Sequence, residues 1–286
     1  YFDSYGFDFC GAADEATSPE DKAVVAITDD IIGFIERNRD RPWFAYTAHF
    51  SPHTRLTAPP ALIAKHAARG YKRTSAPNGR YTERPTADYL AMLEHLDAHV
   101  GRLIDRVDAL GLAENTIVIF ASDNGGLQSV TDNSPLRAGK GAPYEGGIRV
   151  PLIVRWPGHI RPGSTCDVPV HPVDYYPTLV EAAGARLPPG HVLDGESLGP
   201  LWREQGRLQR SALYWHLPTY TPGYGRAPCA VIRRDEWKLI HYFGDYIDVS
   251  ASHPGDRPPG KLLQGKFAAA EIFDAESGES FHYLGL

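Results

Sequence analysis

The run Thr116 to Ala121 (TIVIFA) constrains this chain more than any other segment. Thr116, Ile117, Val118 and Ile119 are β-branched, and Ser122-Asp123-Asn124-Gly125-Gly126 follows at once. Near-continuous apolar character of this kind fits a central parallel strand buried on both faces. A long helix precedes it: over 87–110, Leu93, Leu96, Val100, Leu103, Val107 and Leu110 form one stripe, and Gly111 suits the C-terminal cap. The same alternation recurs. Residues 21–38 predict a helix through Ile27, Ile31, Ile32 and Ile35, and Trp43 to His49 a buried strand after Pro42. Val150 to Trp156 predicts a further strand, and Pro172 to Ala183 a helix ended by Gly184. Alternating helices and strands place the chain in the α/β class.

The segments between are less regular. Ser51 to Pro60 is Pro-rich and predicts loop; residues 61–85 carry little pattern, with a turn at Asn78-Gly79. After about residue 205 the texture changes to short strand-like runs separated by Pro/Gly-rich turns: Ala212 to Trp215, Cys229 to Arg233, Trp237 to Tyr242 and Glu271 to Phe273. The expected division is a larger α/β domain over 1–205 and a small antiparallel α+β subdomain over 206–286, with a long hairpin insertion over 248–268.

Composition removes several functions. The net charge of −6 comes with no basic stripe, so nucleic acid is not an expected partner. No apolar run is long enough to span a bilayer. Cys10, Cys166 and Cys229 show no CxxC spacing, which leaves three thiols or one disulfide and one thiol open. The chain opens Tyr1-Phe2-Asp3 with no initiator Met and no signal peptide in view, which reads as mid-domain sequence.

Four places can carry chemistry. Asp123 and Asn124 stand at the carboxyl end of a strand, where open α/β sheets bind ligands. A carboxylate beside an amide carbonyl offers hard oxygen donors and favours Ca²⁺ or Mg²⁺ over zinc. The plainer reading is a turn. Lys140, between Gly139 and Gly141 and ahead of Tyr144-Glu145-Gly146-Gly147, projects a compact cation suited to an oxyanion; taken alone, the better reading is a solvated loop lysine. The pair His49 and His53 ends the run 43–49, and either can move a proton near neutral pH or simply cap the loop. Tyr214-Trp215-His216 suits a sugar site or a core strand.

Together these segments resemble the type I sulfatases of the alkaline-phosphatase-like superfamily. ENTIVIFASDNGG (114–126) resembles their metal strand and loop, and SPLRAGKGAPYEGGIRVPLIVRWPG (134–158) their second signature region. FAYTAHFSPHTRLTAPP (44–60) resembles the strand and loop ending in Pro-His, and residues 88–116 the helix before the metal strand. ALYWHLP, CAVIRRDEWKLIHYF and EIFDAESGE (212–279) resemble the C-terminal subdomain.

The resemblance implies a central sheet flanked by helices, here incomplete, and hydrolysis of sulfate esters in a sulfated small molecule or glycan. Asp123 and Asn124 would be two ligands of a bound Ca²⁺, Mg²⁺ being the alternative. Lys140 would contact the sulfate and help the ester oxygen leave. His53 would sit beside the same sulfate as general acid, and His216 would touch substrate at the rim. The family's nucleophile is a formylglycine made within a Cys/Ser-x-Pro-x-Arg motif, and no such motif occurs here. The expectation is therefore a C-terminal portion whose nucleophile lies in a segment ahead of Tyr1, inactive by itself. Family resemblance also implies a periplasmic or extracellular setting. Two other readings remain: a phosphatase or phosphodiesterase of the same superfamily, and a non-catalytic homologue that binds sulfated glycans. The first generally holds two zinc ions with a His where this chain has Asn124.

Overall fold

The structure is a computed structural model, and it describes residues 20–73, 85–219 and 227–243, with the backbone of 270–274 and 280–283. The chain divides into two compact units, one of 1–116 with 126–132, the other of 117–125 with 133–286. The expected boundary near 205 falls inside the second unit.

The first unit is helical. Helices α1 (Val24–Asn38) and α2 (Pro60–Ala68) both pack on α3 (Ala87–Ala109). Thr86 starts α3: its side chain accepts a hydrogen bond from the Tyr89 amide at 3.3 Å, meeting one of the donors a helix start leaves orphaned. Gly111, at φ +71°, follows its end, as the sequence predicts. The buried face is not the predicted leucine stripe alone. Ala87, Asp88, Ala91, Met92, Leu96 and Val107 are buried, while Leu93 is 37% exposed. Ala87 and Ala91 have no bulk, so Ile63 of α2 and Ala58 come close to Met92 and make a small core there. Asp88 is buried because the Arg73 guanidinium grips both its oxygens at 3.1–3.2 Å. Helix α2 is absent from the sequence expectation. Pro60 occupies its first turn, where a proline fits because that amide needs no partner.

Two strand expectations are corrected. Trp43 to His49 is not a strand, and its exposure alternates, with Phe44 and Tyr46 59% and 73% exposed. In the second unit, β1 (Val118–Ala121) is not a parallel strand buried on both faces. It pairs antiparallel with β2 (Leu152–Arg155), in register Val118↔Arg155 to Ala121↔Leu152. Phe120 and Ile153 are 41% and 61% exposed. The intervening segment holds no crossover helix long enough to return the chain for a parallel pairing. It doubles back through a loop and the single-turn helix α4 (Glu145–Ile148).

After β2 come α5 (Tyr175–Ala182) and α6 (Gly199–Trp202). Then follows a five-stranded antiparallel meander: β3 (Leu213–Leu217), β4 (Cys229–Arg234), β5 (Trp237–Tyr242), β6 (Ala270–Asp274) and β7 (Ser280–Tyr283). The first four answer to the predicted strands; β7 is additional. Period-two alternation turns Val231, Ile240 and Tyr242 inward with Cys229, onto Ala142 and Tyr144 of the loop before α4. Cys166 is exposed and Cys229 buried. Cys10, the Asn78-Gly79 turn and the 248–268 insertion lie outside the described residues. No helix among the described residues is long and apolar enough to cross a membrane.

Candidate functional site

β1 ends at Ala121, and Asp123 follows on an exposed turn with Asn124 half-buried. The Ser122 hydroxyl closes this turn by donating to the Asn124 carbonyl at 2.8 Å. The next residue, Gly125, donates its amide to the Gly147 carbonyl of α4 at 2.9 Å. The approach is close: a Cβ at Gly125 would stand 1.7 Å from the Gly146 carbonyl oxygen. No residue but glycine fits there.

The loop bearing Lys140 is folded against the same two glycines. The Gly146 amide donates to the Arg137 carbonyl at 2.8 Å, and a bond of 3.0 Å from the Ala142 amide to the Gly139 carbonyl closes the turn that holds Lys140. A Cβ at Gly147 would lie 2.1 Å from the Ala142 oxygen and 2.6 Å from the Gly139 oxygen. Backbone contacts alone thus join Asp123-Asn124 and Lys140 through one helical turn, and Lys140 itself is half-buried.

Two predicted residues take no part in these backbone contacts. His53 is exposed in the first unit; its Nδ1 meets the Thr54 carbonyl at 2.6 Å. A carbonyl only accepts, so Nδ1 is the donor, and Nε2 is the nitrogen left to take up or give a proton. His216 is exposed on β3, its ring centroid 5.6 Å from that of Phe243. Strand alternation separates the aromatic triplet: Tyr214 and His216 face outward, whereas Trp215 packs against the core cluster. The sugar-site reading of the triplet is therefore reduced to Tyr214 and His216.

The other histidine of the pair behaves differently. Burial, then the neighbouring His99, pushes the His49 imidazole down to about 4. Its Nδ1 has no hydrogen-bond partner among the described residues. His99 is itself lowered, by burial and by His95, whose ring centroid is 4.6 Å away. A histidine lowered on folding binds fewer protons folded than unfolded, so stability falls as pH drops from about 6.5 towards 4. For His49 the loss at pH 4.5 is about 2–3 kcal/mol. Thermal melts at pH 7.5 and 4.5 check this: His49→Asn is expected to narrow the gap between the two melting temperatures, and an unchanged gap contradicts it.

Several residues of the site escape sequence reading. Glu145, first in α4, is 4% exposed and carries two partners from the C-terminal sheet. One is the ammonium of Lys238, fully buried on β5; the other is the Arg233 guanidinium on β4, at 3.3 Å. Burial pushes the Lys238 ammonium down from the usual lysine range, with Glu145 opposing that shift. Tyr144, 1% exposed, has the Arg137 guanidinium 3.9 Å from its ring centroid, and its hydroxyl receives a hydrogen bond from Tyr242 at 3.3 Å. One signal was available: Lys238 holds the inward register of β5 with Ile240 and Tyr242, and an inward lysine needs a carboxylate.

As donors, Asp123 and Asn124 fit a hard cation in kind: two oxygens on an exposed turn at a strand end. Ca²⁺ takes about six to eight oxygens. Among the described residues no group of three or more His, Cys, Asp or Glu side chains is arranged to hold a metal.

The chain is similar to proteins already known. The family described as Sulfatase matches residues 3–185, and that described as N-sulphoglucosamine sulphohydrolase, C-terminal, matches 139–251. A Sulfatase of Formosa agariphila is 42% identical over 232 residues, which is 76% of this chain and 39% of that one. Human Arylsulfatase A is 33% identical over 268 residues, 91% of this chain and 48% of the other. The crystal structure of Ps i-CgsB in complex with k-i-k-neocarrahexaose superposes with a TM-score of 0.64 at 29% identity, over 76% of this chain and 45% of that one. The chain spans less than half the length of these relatives.

Proposed function

Because the chain belongs to the sulfatase family, we propose that the protein hydrolyses sulfate esters, and that these residues supply part of its metal and sulfate site. The observation that carries the reading is the meeting of the Asp123-Asn124 turn and the Lys140 turn on Gly146 and Gly147. Sulfate-ester cleavage needs a nucleophile, positive charge against the non-bridging oxygens, and a proton for the departing alcohol. Asp123 and Asn124 would hold Ca²⁺, or Mg²⁺, as two of its oxygen ligands; such a cation supplies the positive charge. Lys140 binds and orients the sulfate and adds its own charge, which a half-buried lysine does more strongly than one in bulk water. His53 is the proposed general acid: in its imidazolium form it would give the alcohol a proton from Nε2, Nδ1 being engaged by the Thr54 carbonyl.

The proposed substrate is a sulfated carbohydrate. Its support is the oligosaccharide bound by the related Ps i-CgsB, together with the exposed Tyr214 and His216 on β3, an aromatic face beside a hydrogen-bonding ring. His216 is the proposed rim contact. The proposed setting is periplasmic or extracellular, which fractionation of cells producing the full-length protein tests.

None of the 286 residues forms the Cys/Ser-x-Pro-x-Arg motif, so the formylglycine nucleophile is sought in the rest of the full-length protein. Reading the encoding DNA upstream of Tyr1 tests this. The expected result is an open frame that continues upstream and contains that motif. An in-frame stop codon just before Tyr1, with no initiation codon between, contradicts it.

A further inference from the structure

Lys140 cannot place itself. It stands in a turn flanked by two glycines, and Gly141 has φ +84°, so its own backbone offers little stiffness. What fixes the turn is the helical turn behind it, through the Gly147 backbone packed on the Gly139 and Ala142 carbonyls. Fixing α4 in turn is the buried carboxylate at its start. Glu145 is clasped by Lys238 of β5 and Arg233 of β4, strands that are paired to each other with Arg233 opposite Lys238. The carboxylate therefore has two cations at fixed positions on one rigid sheet. Lys238, fully buried, has given up its water for this contact. Its low-dielectric surroundings give the pair a directional strength that an exposed pair lacks.

We infer that Glu145, held by Lys238 and Arg233, is a positioning residue that sets Lys140 for the sulfate group. The inference rests on the proposed role of Lys140. It assigns the C-terminal sheet a part in catalysis: β4 and β5 are the anvil against which the sulfate-binding turn is held.

The test is a double-mutant cycle in the full-length protein, with hydrolysis of 4-nitrocatechol sulfate as the readout. kcat and KM are measured for the wild type, Lys140→Ala, Glu145→Gln, and the two combined. A residue that acts through another loses its effect when the other is gone. Glu145→Gln is expected to lower kcat/KM by at least about 20-fold in the wild-type background. In the Lys140→Ala background it is expected to lower it by less than about 2-fold. Equal losses in the two backgrounds overturn the inference, because they mean that Glu145 only holds the fold. Should Lys140→Ala prove as active as the wild type, the proposed role of Lys140 fails and the inference fails with it. That result is distinct, since it appears in one single mutant. If Glu145→Gln does not fold by circular dichroism, the paired change Glu145→Gln/Lys238→Met removes both buried charges and is carried through the same cycle with the same two outcomes.

Discussion

Replacing Lys140 by Ala in the full-length protein is expected to lower kcat for an aryl sulfate by about 10²–10³-fold while leaving the melting temperature nearly unchanged. The side chain is half-buried in a loop turn whose closing hydrogen bond runs between backbone atoms of Gly139 and Ala142, so its removal takes away no structural bond of that turn. On the proposed role, what it removes is a cation that meets the charge developing as the ester bond breaks. A group stabilising the transition state more than the ground state shows its loss in kcat rather than in KM alone. Lys140→Arg is expected to restore little, because a planar fork does not replace a compact ammonium in a turn this tight. Steady-state kinetics beside a thermal melt decide it. An unchanged kcat means that Lys140 is the solvated loop lysine its local sequence also allows.

Gly146→Ala is expected to be among the most damaging changes to the second unit, for a purely steric reason. Its Cβ would lie 2.2 Å from the Ala138 carbonyl oxygen and 2.5 Å from that of Arg137. Both are backbone atoms, so no side-chain rotation relieves the clash. The hydrogen bond from the Gly146 amide to the Arg137 carbonyl must open, and the Lys140 turn must move away from α4. Overpacking of this kind destabilises by about 3 kcal/mol. Activity is expected to fall at least as far as in Lys140→Ala, because the Asp123-Asn124 turn leans on the carbonyl of Gly146 itself through Gly125. Gly101→Ala is the control of opposite sign. It lies within α3 with nothing within 4 Å of the added atom, and replacing a mid-helix glycine by alanine stabilises by about 1 kcal/mol. Melting temperatures of the two variants are compared with the wild type. Equal and small shifts would show that the junction of the two loops yields easily.

How far the sequence discloses this molecule differs from part to part, for physical reasons. Helix α3 is legible because its length, its capping Thr86 and Gly111, and its apolar period agree. The C-terminal strands are legible because one buried face imposes a period of two, as in Cys229, Val231, Ile240 and Tyr242. The partner of β1 is not legible. Apolar character says that a strand is covered, not by what or in which direction, and here the cover is an antiparallel neighbour reached through a loop. Helix α2 escapes because it is short and opens with a proline inside a Pro-rich stretch.

Of the candidate site, Asp123, Asn124 and Lys140 are legible as chemistry on loops. That they meet is not, because the contact is made by the backbones of Gly125, Gly146 and Gly147, which have no side-chain pattern to read. Glu145 and Lys238 stand 93 residues apart, and only the register of β5 hints that the lysine turns inward. An ion pair between residues so far apart leaves no local pattern.

The central claim is that the two turns joined at Gly146 and Gly147 serve sulfate-ester hydrolysis. Its most direct test is sulfate release from 4-nitrocatechol sulfate by the full-length protein, measured for the wild type and for Asp123→Ala, with 4-nitrophenyl phosphate as the competing substrate. The account predicts that the wild type releases sulfate in preference to phosphate and that Asp123→Ala abolishes the release while the protein stays folded. Preferential release of phosphate, or sulfate release untouched by the loss of Asp123, would contradict it.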